Sequence, residues 1–285
     1  MLIQTYQPHE LHFAYCYRVY FRWRTFRNRL YPALGLLSSE ELNELMQPYC
    51  IRVLECAASE IDVTTMVSLQ PAETISACAS KLKGRVSKWL GTRLRLAEPD
   101  HLLSRGYFAC TVGQTTTTLV EQYLETQGAH HGYDKRLLPP IFVERYELTA
   151  SNEERLNAKH AYVVAQFHVV LATRWRRGVL GSREGRRIAS AWRNLQQELR
   201  IAIIKVSFVP DHVHIALRMH PAVSPADVVA ALMNTAQETI REELIPAGLD
   251  RLWEPSAYLG SYGDLASPQI RKYIERLRRG SEQRT

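Results

Sequence analysis

The sequence predicts an α+β protein: two ferredoxin-like domains, each an antiparallel sheet with helices, fused in tandem as a pseudo-dimer. Three observations point there. Separated segments repeat at one spacing of 150 residues (Val63 to Val213), each copy reads as strand–helix–strand–strand–helix–strand, and a linker-like stretch lies between the copies.

The repeat is weak in identity but consistent in spacing. Ser59–Pro71 lies over Val209–Pro221, so that Val63 meets Val213 and Pro71 meets Pro221. At the same spacing Gly113 meets Gly263, and Val120–Glu125 meets Ile270–Glu275, which brings Tyr123 onto Tyr273. At the front, Tyr17–Phe21 falls on Phe167–Leu171. One spacing that links four segments argues for duplication of a unit of about 120 residues. The expected division is a first domain over 1–128, a linker over 129–159 and a second domain over 160–285. The linker carries Gly132, Pro139, Pro140 and the polar run Ser151–Arg155, with some structure expected around Ile141–Val143.

The elements follow from pattern. β-branched and aromatic runs predict a first strand over Phe13–Phe21 and Tyr162–Ala172. Helices are expected over Ser38–Met46, where Ser38 and the acidic residues after it make a helix start, and over Arg183–Leu199. Two strands come next in each copy: Ile51–Cys56 with Val63–Leu69, and Ile201–Val209 with Val213–Met219. A helix after Pro71 or Pro221, a short strand and a tyrosine-bearing helix complete the unit.

Composition bounds the partners. There are 36 Lys and Arg against 29 Asp and Glu, a net charge of +7, which favours a polyanion. No run of eighteen apolar residues exists, which excludes a membrane-spanning helix, and residues 1–10 lack the pattern of a signal peptide. Cys16, Cys50, Cys56, Cys78 and Cys110 form no Cys-x-x-Cys pair. They read as thiols of a reducing compartment, and a cytoplasmic protein is expected.

Two constellations have chemical potential. His212 and His214 lie two apart on an expected strand, so both imidazoles face one side and can share a divalent metal. By itself the pair is weak evidence, because two surface or core histidines at that spacing are common. Tyr123 and Gln127 lie four apart on an expected helix, Thr118–Gln127, capped by Thr115–Thr118 and stopped by Gly128. A solvated polar face is the bland alternative. Arg22, Trp23, Arg24 and, in the second copy, Arg174, Trp175, Arg176 interleave cations, which can neutralise phosphates, with aromatic rings, which can stack unpaired bases; a solvated face with a few buried rings is the alternative. Lys81, Lys83, Arg85 and Lys88 give the first copy a basic face. His130 and His131 read as polar linker.

In this order the motifs resemble the HUH single-tyrosine transposases of small bacterial insertion sequences and the REP-associated tyrosine transposases. Those proteins carry a His-hydrophobic-His strand, a basic helix, an aromatic-Gly strand and a Tyr-x-x-x-Gln helix. The first copy matches at Leu82–Leu90, Arg105–Phe108, Thr111–Gly113 and Tyr123–Gln127. The second matches at Pro210–Leu217, Leu252–Trp253 and Ile270–Glu275. The losses differ. The first copy has Asp62 and Thr64 at the histidine positions, and the second has Leu277 at the glutamine position.

The resemblance implies two HUH-endonuclease folds and a metal-dependent nicking and strand transfer of single-stranded DNA, hairpins included, through a 5′-phosphotyrosine. In family homodimers the tyrosine helix of one subunit can sit in the other's histidine site. The expected catalytic centre is therefore composite: Tyr123 as nucleophile, with Tyr273 as second choice, and Mg²⁺ or Mn²⁺ held by His212, His214 and Gln127. Arg22, Arg24, Lys83, Arg85, Arg174 and Arg176 are the expected DNA contacts. Higher assembly of the fused chain is open. The competing expectation is a domesticated, catalytically inactive protein that binds DNA hairpins or docks a partner.

Overall fold

The structure, a computed structural model, describes residues 5–96, 101–113, 115–125 and 142–264. Each expected first strand is broken. In the first copy β1 (His12–Cys16) stops at Tyr17 and β2 (Arg18–Arg24) begins; in the second, β7 (Ala161–Val164) stops at Ala165 and β8 (Gln166–Ala172) begins. In β2, Val19, Phe21 and Trp23 enter the main core while Tyr20 joins a second cluster on the opposite face, as a period of two dictates.

The other described elements match the expected order, and the tyrosine-bearing helix expected in the second copy lies outside the described residues. α1 (Ser39–Met46) starts at a capping box: Ser38 Oγ accepts from Glu41 N, and the Glu41 carboxylate accepts from Ser38 N. β3 (Arg52–Ala58) and β4 (Asp62–Ser68) form a hairpin, followed by α2 (Ile75–Arg93), β5 (Tyr107–Val112) and α3 (Thr117–Glu125). The expected linker contributes β6 (Phe142–Arg145) and α4 (Ala150–Arg155). In the second copy α5 (Ser182–Leu199), β9 (Ile201–Val209), β10 (His212–Met219), α6 (Pro225–Thr239), α7 (Arg241–Leu244) and β11 (Ser256–Tyr262) follow β8.

One sheet has the order β3-β4-β2-β5-β7 and the other β6-β9-β10-β8-β11-β1. Four antiparallel strands of each, β3-β4-β2-β5 and β9-β10-β8-β11, have the same ferredoxin-like order. Beyond them the copies exchange strands. β1 of the first copy pairs in parallel with β11 of the second, and β7 of the second pairs in parallel with β5 of the first.

Register corrects the repeat at its front. Arg18 pairs with Ser68 and Gln166 with Arg218, so β2 and β8 are related by a shift of 148 residues, not 150. Two extra residues between β8 and the following hairpin account for this. Hydrogen bonds across the sheet, not linear spacing, set which residues are equivalent. Tyr20 therefore corresponds to His168, Arg22 to Val170 and Arg24 to Ala172.

The copies are joined by bonds made twice. Ser76 N donates to Pro221 O at 2.8 Å, and Ala226 N donates to Pro71 O at 3.0 Å. Thr111 Oγ1 donates to Tyr262 O, and Ser261 Oγ donates to Val112 O, both at 2.7 Å. Where the chains cross, a Cβ on Gly113 would lie 2.2 Å from Ser261 O, and one on Gly263 2.3 Å from Thr111 O. Only glycine allows that approach, which is why the repeat pairs these two positions. The main core runs through both copies, with the Tyr17 and Phe167 rings 5.1 Å apart, edge to face. Among the described residues no helix is long and apolar enough to cross a membrane, and the five cysteines are free thiols.

Candidate active site

His212 opens β10 and His214 follows two residues on. Both are buried, and their ring centroids are 4.9 Å apart. Asp211 precedes the strand and fixes the first ring, with Nδ1 of His212 2.7 Å from its Oδ1. The second ring is fixed by a residue that the pattern His-x-His does not announce. His168 on β8 brings its Nε2 to 3.0 Å from Nδ1 of His214, with the two rings stacked. Burial pushes the His168 imidazole down to about 4, so at neutral pH it is uncharged. The signal for it lay in the sequence once β2 and β8 are aligned by register: copy two has His168 where copy one has Tyr20.

Tyr123 comes from the other copy. Its helix, α3, lies on the copy-two sheet, where Val120 and Leu124 pack with Ile204, Ala216 and Tyr262. Thr117 Oγ1 is 2.9 Å from Gln166 Oε1, and Lys205 Nζ is 2.5 Å from Glu125 Oε1. This docking sets the Tyr123 ring 5.5 Å from that of His214 and 6.1 Å from that of His168, edge-on to both. Tyr123 remains 38% exposed.

The donor set suits a divalent metal. With each Nδ1 engaged, the histidines are oriented to ligate through Nε2, the arrangement in which an outer partner fixes ring and tautomer. Among the described residues no group of three or more His, Cys, Asp or Glu could hold an ion, so a further donor is needed. Gln127, expected to supply it, lies outside the described residues, as do Tyr273, Leu277 and the linker histidines.

The equivalent place in copy one is closed by its own side chains. Asp62, at the His212 position, is ion-paired with Arg22 at 2.7 Å and accepts from Ser59 Oγ at 2.8 Å. Thr64, at the His214 position, is buried and donates to Ala57 O. A guanidinium thus neutralises the carboxylate.

The expected DNA contacts are dispersed. Arg22 and Arg24 line an open cavity of about 390 Å³ with Arg27, Tyr107 and Phe108. Lys83 donates to Arg105 O at 2.6 Å, and burial lowers its ammonium to about 8. Arg85 Nε donates to Tyr49 Oη at 2.9 Å. Arg174 pairs with Glu254 at 2.7 Å and Arg176 with Asp211 at 3.1 Å.

The family comparison agrees with the twofold architecture. A family model described as "Transposase IS200 like" matches residues 13–127 and again residues 161–277. ISDra2 transposase TnpA of Deinococcus radiodurans is 26% identical over 117 residues, 39% of this chain and 81% of the relative. A transposase crystal structure from Deinococcus radiodurans superposes with a TM-score of 0.35 at 22% identity, covering 42% of this chain and 95% of that one. A mutant chlorite dismutase from Candidatus Nitrospira defluvii aligns over 91% of this chain and 95% of its own, at 13% identity and a TM-score of only 0.23. Because the family model matches twice and together spans most of the sequence, the chain belongs to the IS200-like transposase family and carries the family's domain in duplicate.

Proposed function

We propose that the protein nicks single-stranded DNA and transfers the strand, as in transposition of small insertion sequences, at one composite site. In this reading Tyr123 of copy one is the nucleophile, and His212, His214 and Gln127 hold Mg²⁺ or Mn²⁺. The observation that carries it is the 5.5 Å approach of the Tyr123 ring to that of His214 across the repeat. The copies, over 1–128 and 160–285 with a linker between, act as an intramolecular dimer.

A phenol is a weak nucleophile at neutral pH. When bound, the metal would draw charge from a non-bridging oxygen of the scissile phosphate. The chain supplies the geometry. Tyr123 Oη gives up its proton to solvent as it attacks phosphorus, the P–O3′ bond breaks, and the leaving 3′ oxygen takes a proton from solvent. A 5′-phosphotyrosine and a free 3′-hydroxyl result. A second 3′-hydroxyl reverses the exchange, so the bond energy is kept for joining. His168 and Asp211 hold the two ligating rings in place. Arg24 and the neighbouring aromatic rings suit an unpaired strand, with phosphates at the cations and bases on the rings. The five free thiols fit a reducing, cytoplasmic setting.

The test is incubation of the full chain with a labelled single-stranded hairpin and Mn²⁺, followed by denaturing electrophoresis and peptide mapping. An adduct on Tyr123 is expected. Hairpin binding without any adduct would overturn the reading in favour of an inactive DNA-binding protein, and an adduct on Tyr273 would move the nucleophile to the other copy.

A further inference from the structure

Lys205 is a nearly fully buried lysine in the middle of a sheet strand. Burial of an ammonium is costly unless it is paired. Its Nζ is 2.5 Å from Glu125 Oε1 and 3.3 Å from Glu121 O, both on α3 of the other copy. A β-bulge at this point, where pairing with β10 shifts between Ala216 and Leu217, turns Ile204 and Lys205 to the same side. Ile204 then packs beneath the helix while Lys205 reaches its carboxylate. A second cation joins from β6, where Arg145 pairs with Glu121 at 2.6 Å. Both glutamates of α3 thus meet positive charge on the copy-two sheet.

The copy-one sheet has the same bulge, between Val53 and Glu55. Register equates Glu55, paired with Met66, to Lys205, paired with Ala216. The charge at this position is therefore reversed between the copies. The cradle also changes shape: Leu54, Met66 and Val112 stand where copy two has Ile204, Ala216 and Tyr262. In the repeat alignment Glu121 falls on Arg271 while Glu125 falls on Glu275, so the second tyrosine segment reverses charge at the first of these positions and keeps it at the second; Arg271 and Glu275 lie outside the described residues.

We propose that Lys205 is the positioning residue that seats the Tyr123 helix on copy two, and that Glu55 at the equivalent point makes copy one repel the same helix. The charge reversal is an orientation code. An acidic helix meets a carboxylate on its own sheet and an ammonium on the other, so specificity comes from a repelling element as well as an attracting one. In a homodimer both sheets are identical and no such code is possible. Duplication within one chain allowed the two seats to diverge. The catalytic meaning of this seat rests on the proposed composite site, but the docking itself does not.

Hydrogen exchange of peptides covering 117–125 reads the seat in the metal-free, DNA-free full chain. Lys205→Glu and Glu125→Lys should each speed exchange there on the order of tenfold or more, since each leaves a charge without its counterpart. Exchange in β8 and β10 should hold for Glu125→Lys, whose side chain is largely exposed, so this variant tests the seat even where Lys205→Glu disturbs folding. The double variant, with the charges exchanged, should recover protection and, with Mn²⁺ and hairpin DNA, the covalent adduct. Unchanged exchange in Glu125→Lys, or a double variant no better than the worse single one, would overturn the proposal. Recovery of protection in a chain that never forms an adduct would uphold the seat and refute the nicking chemistry instead.

Discussion

The Tyr123 ring lies 5.5 Å from the His214 ring at an interplanar angle of 83°, although the two residues belong to different copies of the repeat. A tyrosine that faces its own copy's histidine positions would meet Asp62 and Thr64, already occupied by Arg22 and Ala57 O. The approach across the copies gives the tyrosine a pair of imidazoles instead. Tyr123→Phe should abolish the covalent DNA adduct, while Tyr273→Phe leaves its yield unchanged. Denaturing electrophoresis of the labelled product reads both, and the opposite pattern would refute the composite site.

In the proposed site His168 would act on the metal through His214. Its Nε2 accepts from, or donates to, His214 Nδ1 at 3.0 Å and so would fix which nitrogen faces a bound ion. His168→Leu should weaken Mn²⁺ binding about 10–100-fold, the usual cost of losing an outer partner of a ligand. His168→Asn, which keeps a hydrogen-bonding group on the same strand, should recover part of it. Titration calorimetry gives the affinities, with thermal unfolding as the control for folding.

Metal stoichiometry separates the two copies. Copy one holds Asp62 in an ion pair and Thr64 on a backbone carbonyl, so only one Mn²⁺ per chain is expected. His214→Ala should then remove tight binding altogether. Retention of a second tight site would mean that Asp62 still ligates.

The crossing of the copies sets stability. Gly113→Ala and Gly263→Ala force a Cβ to within 2.2 and 2.3 Å of a carbonyl oxygen, respectively, and each should cost about 1–3 kcal/mol, the range for overpacked sites. Ser261→Ala removes the bond to Val112 O and should cost about 1–2 kcal/mol. Urea unfolding measures all three. A near-neutral glycine variant would show that the crossing relaxes easily.

Acid should loosen the tyrosine helix before the sheets. The Glu125 carboxyl is held below its ordinary 4.5, first by the hydrogen bond from Lys205 and then by its charge. A depressed folded value means that the contribution is complete above 4.5 and is lost as pH falls through the lowered value. Exchange in 117–125, corrected for intrinsic rates, should therefore rise below pH 4.5, ahead of β8 and β10. Lys205→Met should erase this pH dependence.

The sequence alone determined the duplication, the order of elements in each copy and the candidate chemistry. Those properties are local: a capping box at Ser38, continuous buried strands at β4 and β10, two histidines one strand period apart, and paired glycines at Gly113 and Gly263. Family membership followed from the same patterns. Tertiary structure alone decided the strand exchange, the two-residue register shift at the front, the role of His168 and the Lys205–Glu125 seat. A strand's sequence shows that it needs a partner, but not which edge it will find, because either copy offers nearly the same hydrogen-bonding groups. Likewise a lone histidine or lysine says nothing of its role until another strand or helix brings a second group to it. Tyr123 and His214 are visible in the sequence; their meeting depends on how the two copies cross.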